Sequence, residues 1–123
     1  MTARQTRMER LKALRIDPVV KQNCMDVFNA YLLRHGLDFP QPDMRIQRKK
    51  KSSALGYYDV KNRIIYVRNL DTPEQTTETY LHEIGHYIWH LEGNIRMRGE
   101  NKHNGRFFEI CWELFSIADD MGI

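Results

Sequence analysis

Two histidines four positions apart, His82 and His86, enclose a glutamate in the segment His82-Glu83-Ile84-Gly85-His86. Residues four apart lie one above the other on a helix face, so both imidazoles can reach a single metal ion at about 2.0–2.1 Å. Glu83 follows the first histidine and therefore lies beside such an ion, where its carboxylate can take a proton from a water molecule that the metal activates. The spacing predicts a metal centre carried by one helix.

The sequence around this motif marks both ends of the helix that carries it. Thr72-Pro73-Glu74-Gln75 provides a threonine cap, a proline at the first helical position and a glutamine that completes a capping box. Apolar residues then recur at helical spacing until Gly93, where we expect the helix to end. The motif is therefore predicted to lie inside a well-defined helix, which is the setting that its chemistry requires.

The rest of the chain is predicted to contain one helix and three strands before the motif helix, and one helix after it. Asp17-Pro18 begins the first helix and Gly36 ends it. The segments with strand character cover residues 44–47, 54–59 and 63–67. The predicted fold class is α+β, with an N-terminal helix, a short three-stranded sheet, the motif helix and a C-terminal helix.

Length and composition fit one globular domain: 123 residues, of which 41% are hydrophobic and 28% are charged. We expect residues 1–16 to form a basic arm or a short helix, and residues 17–123 to form a single domain. The sequence contains no run of 18 apolar residues, so no membrane-spanning helix is predicted. Cys24 and Cys111 are far apart and form no CxxC pair, which excludes a cysteine zinc ribbon and favours a reducing compartment.

Charge is distributed unevenly along the chain. Residues 1–51 contain twelve Lys and Arg residues against five Asp and Glu, whereas residues 52–123 contain seven against eleven. A basic half of this kind is typical of a chain that meets a polyanion or an acidic partner. The densest basic run is either a solvated turn or a loop that contacts nucleic-acid phosphates. It consists of Arg48, Lys49, Lys50 and Lys51.

A catalytic zinc site needs a third protein ligand beside His82 and His86, with the fourth position left to water. His90 follows His82 by eight residues, about 12 Å further along the helix, which is too far for both to bind one ion with His86. Two candidates remain, namely His103 in the polar loop before the last helix and Glu109 on that helix. We favour His103, because a loop of this length can return over the site and bring a third ligand to it.

Three further residues have two interpretations each. Tyr57, Tyr58 and Arg106 could stabilise an oxyanion, or they are ordinary sheet and surface residues. Trp89 and Trp112 are expected to pack in the core or at its rim.

The motif together with Lys102-His103-Asn104-Gly105-Arg106-Phe107-Phe108 resembles the SprT-like metallopeptidases, the group that includes Spartan. Leu55-Gly56-Tyr57-Tyr58-Asp59 is similar to the strand that precedes the active helix in that family. The resemblance extends over residues 20–118. It implies a minimal zincin-like fold and zinc (Zn2+) held by His82, His86 and His103, with Glu83 as the general base.

The resemblance further implies a zinc-dependent metalloendopeptidase that hydrolyses peptide bonds in proteins, including proteins associated or crosslinked with DNA. The basic segment 48–51 and the N-terminal arginines are then the only candidates for contact with DNA, single-stranded DNA included. We expect a monomer in the cytoplasm with no membrane association, and a stand-alone module of this size suits a phage gene expressed in a bacterial host.

Two alternative functions stay open. One is a zinc-containing DNA-binding or protein-binding module without proteolysis, in which a fourth protein ligand would close the site. The other is a regulator-cleaving metallopeptidase, for which we expect an acidic third ligand.

Overall fold

The computed structural model describes residues 2–7, 15–47, 55–68, 70, 72–93 and 105–123. These residues form four helices and one three-stranded sheet, so the predicted α+β class is confirmed. The elements are α1 (residues 3–7), α2 (Pro18–His35), β1 (Asp43–Ile46), β2 (Gly56–Asp59), β3 (Ile64–Val67), α3 (Pro73–Leu91) and α4 (Gly105–Asp120). Residues 8–14 lie outside the described part, so the boundary between an arm and a domain stays a prediction. Among the described helices, none has the length and apolar character needed to span a membrane.

Both ends of α2 and the start of α3 lie where the sequence predicts them, because each is fixed by a local cap. The Asp17 carboxylate accepts a hydrogen bond of 2.8 Å from a backbone N–H in the first turn of α2, and Gly36 ends that helix in the left-handed conformation at φ 61°. At the start of α3, the Thr72 hydroxyl accepts a hydrogen bond of 3.2 Å from the Gln75 backbone N–H. The helix that carries the metal motif ends just before Gly93.

The sheet has the order β1-β3-β2. β2 and β3 form an antiparallel hairpin, and the Asp59 carboxylate accepts a hydrogen bond from the Asn62 backbone N–H in the turn between them. β1 runs parallel to β3. As a result, β2 pairs with one neighbour and lies at an edge of the described sheet.

The core lies between α2, α3, α4 and the inner face of the sheet, and α3 contributes most to it. Two of its buried tyrosines satisfy their hydroxyls on backbone carbonyls: Tyr80 donates to Arg45 of β1 at 2.9 Å, and Tyr87 donates to Pro40 at 2.6 Å. Each buried side chain of this size stabilises the fold by about 1.5–3 kcal/mol. The fully buried residues of α3 are Tyr80, Leu81, Ile84, Tyr87 and Ile88.

Candidate metal centre

Three side chains able to bind a metal come together on α3. One ligand atom from each of His82, Glu83 and His86 lies within 4.8 Å of the others. The two imidazole centroids are 5.2 Å apart, as expected for residues one helical turn apart. The His82 side chain is 41% exposed, whereas Glu83 and His86 are buried. The group therefore meets solvent on the His82 side and protein elsewhere.

This donor set fits zinc. Neutral imidazole nitrogens are ordinary ligands of zinc and of the neighbouring divalent metals. A catalytic zinc site has a third protein ligand and a water molecule beside two such histidines, and the solvent-facing edge of this group has room for both. The Glu83 carboxylate lies 4.0 Å from the His82 Nε2 atom and so borders the same space.

The first helical turn of α4 holds both imidazole rings from one side. The Phe107 ring stacks on His86 with 4.1 Å between centroids and 17° between planes, and it meets the His82 ring edge-on at 5.2 Å. Phe107 is fully buried, so these contacts restrict both ring orientations. The helical spacing predicted Phe107 on the apolar face of α4, but it gave no sign that this ring touches the histidines.

Gly85, inside the motif, allows α4 to approach this closely. A Cβ atom at this position would lie 2.5 Å from the Cys111 Sγ atom and 3.2 Å from a ring carbon of Phe107. The first distance is far inside van der Waals contact, so a larger residue requires the Cys111 side chain or α4 to shift. Burial, with a smaller contribution from Glu83, raises the pKa of the Cys111 thiol to about 12, which keeps it protonated and unreactive at neutral pH.

β2 borders the histidines on the other side, where Tyr58 contacts His90 across a 2.7 Å hydrogen bond. Burial raises the pKa of Tyr58 to about 12, and burial together with the nearby Arg63 lowers the pKa of His90. At neutral pH the hydroxyl is thus protonated and the imidazole is neutral, and the two groups share this hydrogen bond without a net charge. His90 therefore ties the end of α3 to the edge strand.

On the surface of α3, His82 and His86 lie between the residues that meet α4 and those that meet β2, and we call this region the groove. Successive residues of a helix are about 100° apart around its axis. Gly85, which meets α4, and His90, which meets β2, therefore lie about 140° apart around α3. Both His82 and His86 fall between them. Tyr80, which bonds to β1, lies about 80° further round the helix. β2 is therefore the strand nearest to the histidines.

Two parts of the predicted site lie outside the described residues. One is the expected third ligand, His103, and the other is the basic segment assigned to DNA contact, namely Arg48, Lys49, Lys50 and Lys51. Both assignments stay predictions.

The structure places Glu109, the alternative third ligand, away from the two histidines. Its carboxylate is 70% exposed and accepts a hydrogen bond of 3.3 Å from Arg106 Nη1. Glu109 follows Phe107 by two residues, or about 200° around α4, so it lies on the side of that helix opposite to the ring that touches His86. Glu109 is not part of the described metal-binding group.

Arg106 links three helices. Its guanidinium donates to both carboxylate oxygens of Glu92 at 3.1 and 2.5 Å, and to the Tyr31 hydroxyl of α2 at 3.4 Å. The hydrogen bonds to Glu92 raise the pKa of Arg106 above its ordinary value. These contacts favour the interpretation of Arg106 as an ordinary structural residue over a role in stabilising an oxyanion.

The two tyrosines of β2 also have structural partners. Tyr57 stacks on Tyr66 of β3 with 4.9 Å between ring centroids. The Tyr58 hydroxyl binds His90, as described above. Trp89 packs in the core as expected, whereas Trp112 is exposed.

A His-Glu-x-x-His helix between a small sheet and a C-terminal helix defines a zincin-like domain. Comparison with protein-family models matches residues 39–118 to the IrrE N-terminal-like domain, peptidase family M78. The match covers the sheet, α3 and most of α4, including all three residues of the site. The chain belongs to this family, whose members are zincin-like metallopeptidases. No curated protein and no solved structure shows a significant match to the chain.

The family match confirms the broad class that the sequence resemblance implied, a zincin-like metallopeptidase. It supports the IrrE N-terminal-like family and gives no support to the SprT-like type specifically.

Proposed function

We propose that this protein is a zinc-dependent metalloendopeptidase that hydrolyses peptide bonds in protein substrates. The observation that carries the proposal is the group His82, Glu83 and His86 at the floor of the groove, with ligand atoms within 4.8 Å of one another. His82 and His86 would hold the zinc, with His103 as the third ligand. The zinc, when bound, would polarise the scissile carbonyl and activate water.

Glu83 is the general base in this proposal. Its side chain is 7% exposed and its carboxylate lies 4.0 Å from the His82 Nε2 atom, at the floor of the groove. It takes a proton from the attacking water and then delivers that proton to the leaving amine. Because Glu83 is buried, its carboxylate is held in one place, within reach of the water that gives up the proton and of the amine that receives it.

The edge strand β2 aligns the substrate. It pairs with β3 on one side, and its other main-chain edge has no partner strand among the described residues. An extended polypeptide can add to such an edge through main-chain hydrogen bonds, which bind a peptide without demanding one sequence.

The substitution Glu83→Gln tests this proposal. It should leave one zinc per chain while lowering the rate of casein cleavage at least about 100-fold, because the carboxylate that moves the proton is lost. Glu74→Gln, the same change in the exposed first turn of α3, should retain wild-type activity. Cleavage by Glu83→Gln at the wild-type rate would rule out the general-base role. A wild-type chain that binds zinc and cleaves nothing would favour a binding module.

We further propose that the substrates include proteins associated with DNA. The excess of positive charge in residues 1–51 supports this proposal, and the contact is assigned to residues 48–51. Single-stranded DNA should then stimulate casein cleavage at low salt. The stimulation should decline steeply with added salt and disappear when Lys49, Lys50 and Lys51 are all changed to Ser. Equal cleavage with and without DNA would contradict this part of the proposal.

A further inference from the structure

We propose, on the basis of the function proposed above, that Phe108 and Trp112 form a recognition surface for large apolar or aromatic side chains of the substrate. Both lie on α4 one helical turn apart, and so share one face of the helix. Phe108 is 60% exposed and Trp112 is 77% exposed. Contiguous aromatic surface left in water is typical of an interaction site.

The packing of α4 shows on which side of the helix this pair lies. Phe107 and Cys111 contact α3, since Phe107 stacks on His86 and the Cys111 Sγ atom lies 3.9 Å from the His82 carbonyl oxygen. Phe108 follows Phe107 directly, by about 100° around the helix. Trp112 follows Cys111 in the same way. Phe108 and Trp112 therefore project from the same flank of α4, to one side of the surface that meets α3.

The other flank of α4 is occupied by α2. Arg106 on that flank donates to the Tyr31 hydroxyl, and Glu113 shares a 2.6 Å hydrogen bond with His35. The flank that carries Phe108 and Trp112 therefore lies away from α2.

The placement of α2 on α3 decides what the free flank of α4 borders. The Cys24 Sγ atom of α2 lies 4.0 Å from the Thr77 carbonyl oxygen. Thr77 lies about 200° around α3 from the midpoint of His82 and His86, so α2 packs on the side opposite to the histidines. The flank of α4 that faces away from α2 is therefore the one that borders the groove.

The aromatic pair is continuous with the metal centre. The rings of Phe108 and Phe107 lie 5.8 Å apart, and Phe107 in turn stacks on His86. A polypeptide bound between β2 and α4 contacts Phe108 and Trp112, which form the apolar part of the α4 wall of the groove. A large apolar residue near the scissile bond would then bury surface that an alanine cannot, and the expected gain is about 10-fold or more in kcat/KM.

The test uses the full zinc-loaded chain and fluorogenic peptides that differ in a single residue near the scissile bond, which is Phe, Leu or Ala. We expect kcat/KM for the Phe and Leu peptides to exceed that for the Ala peptide about 10-fold or more. In Phe108→Ser and in Trp112→Ser this ratio should fall toward one. The control is Leu33→Ser, which removes an apolar side chain that is 84% exposed on α2 and should keep the wild-type ratio.

A ratio that both α4 variants leave unchanged would overturn the proposal, as would a wild-type chain with no preference for apolar residues. Sedimentation velocity tests a second copy of the chain as the occupant. A wild-type dimer that Trp112→Ser converts to a monomer would assign the surface to self-association and overturn substrate recognition.

A binding measurement separates failure of this inference from failure of the proposed function. The zinc-loaded Glu83→Gln chain should bind the labelled Phe peptide about 10-fold more tightly than the Ala peptide in fluorescence anisotropy, and adding Trp112→Ser should remove that difference. Equal binding of the two peptides overturns the recognition surface. A wild-type chain that cleaves no peptide contradicts the proposed function alone, if the binding difference is present.

Discussion

The two walls of the groove are held to α3 in different ways. α4 is held by close apolar packing, in which Phe107 stacks on His86 and a Cβ atom at Gly85 would lie 2.5 Å from the Cys111 Sγ atom. β2 is held through the hydrogen bond between Tyr58 and His90 and through ring contacts, and its outer main-chain edge has no neighbouring strand among the described residues. Tight packing restricts movement, whereas an edge strand can accept another chain. We therefore expect the face of α4 that packs on α3 to control metal binding, and β2 to bind the main chain of the substrate.

The largest effect should come from changing the closest contact of the α4 wall. Gly85→Ala should lower the free energy of unfolding by about 1–3 kcal/mol, because the new methyl group overlaps the Cys111 sulfur and forces that side chain or α4 to shift. In a Cys111→Ala background the same change should cost much less, since the sulfur is gone and alanine favours the helix by about 1 kcal/mol. Urea unfolding of the four chains measures this coupling. Equal destabilisation in both backgrounds would show that the sulfur is not what requires a glycine.

A second change tests whether α4 positions the metal ligands. Phe107→Leu keeps most of the apolar volume but removes the flat ring that stacks on His86, so zinc affinity should fall about 10-fold. Phe115→Leu makes the same change on the same helix, at a partly buried position packed against the core, and should leave the affinity unchanged. Competition with a chelating dye measures both. An equal loss of affinity in the two variants would point to a general effect on folding.

A third change weakens the link between the ends of α3 and α4. Arg106→Lys should lower the free energy of unfolding by about 0.5–1 kcal/mol, because a single ammonium nitrogen cannot reproduce the two parallel hydrogen bonds of the guanidinium to Glu92; the loss is small since the pair is partly exposed to water. Glu92→Gln should have a similar effect, and the double variant should cost less than the two single changes together. Strictly additive losses would contradict a direct coupling between these two side chains.

The smallest effect concerns pH and the β2 wall. Burial and Arg63 lower the pKa of His90 below its value of 6.5 in the unfolded chain, so the folded state favours the neutral imidazole. Below pH 6.5 the unfolded chain takes up this proton first, and stability therefore declines as the pH falls. His90→Gln should reduce this decline between pH 7.5 and 5.5, as measured by the urea midpoint. Tyr58→Phe should retain most of it, because burial of His90 is its larger cause. An unchanged decline in His90→Gln would assign the acid sensitivity to other groups.

Local sequence signals predicted most of the fold and the centre of the site. Asp17, Thr72 and the histidine motif each act within a few residues, so their consequences can be inferred without the rest of the chain. The parallel pairing of β1 with β3 could not be predicted in the same way, because it depends on packing across a crossover. The contact of Gly85 with Cys111 joins two helices and leaves no local pattern.

Trp112 shows the limit of helical periodicity. The spacing of apolar residues on α4 predicts one buried face, yet it does not say which flank meets a neighbouring helix and which meets water. Phe108 and Trp112 occupy the free flank, and their exposure could be learned only from the way in which α4 packs on α2 and α3.

Metal content is the most direct test of the proposed zinc centre. Native mass spectrometry of the untagged chain should show one zinc per molecule in the wild type and in Glu109→Ala, and none in His86→Ala or in His103→Ala. This result would establish a site made of three histidines. A wild-type chain without metal would contradict the proposed zinc centre, and full occupancy in His103→Ala would show that another residue provides the third ligand.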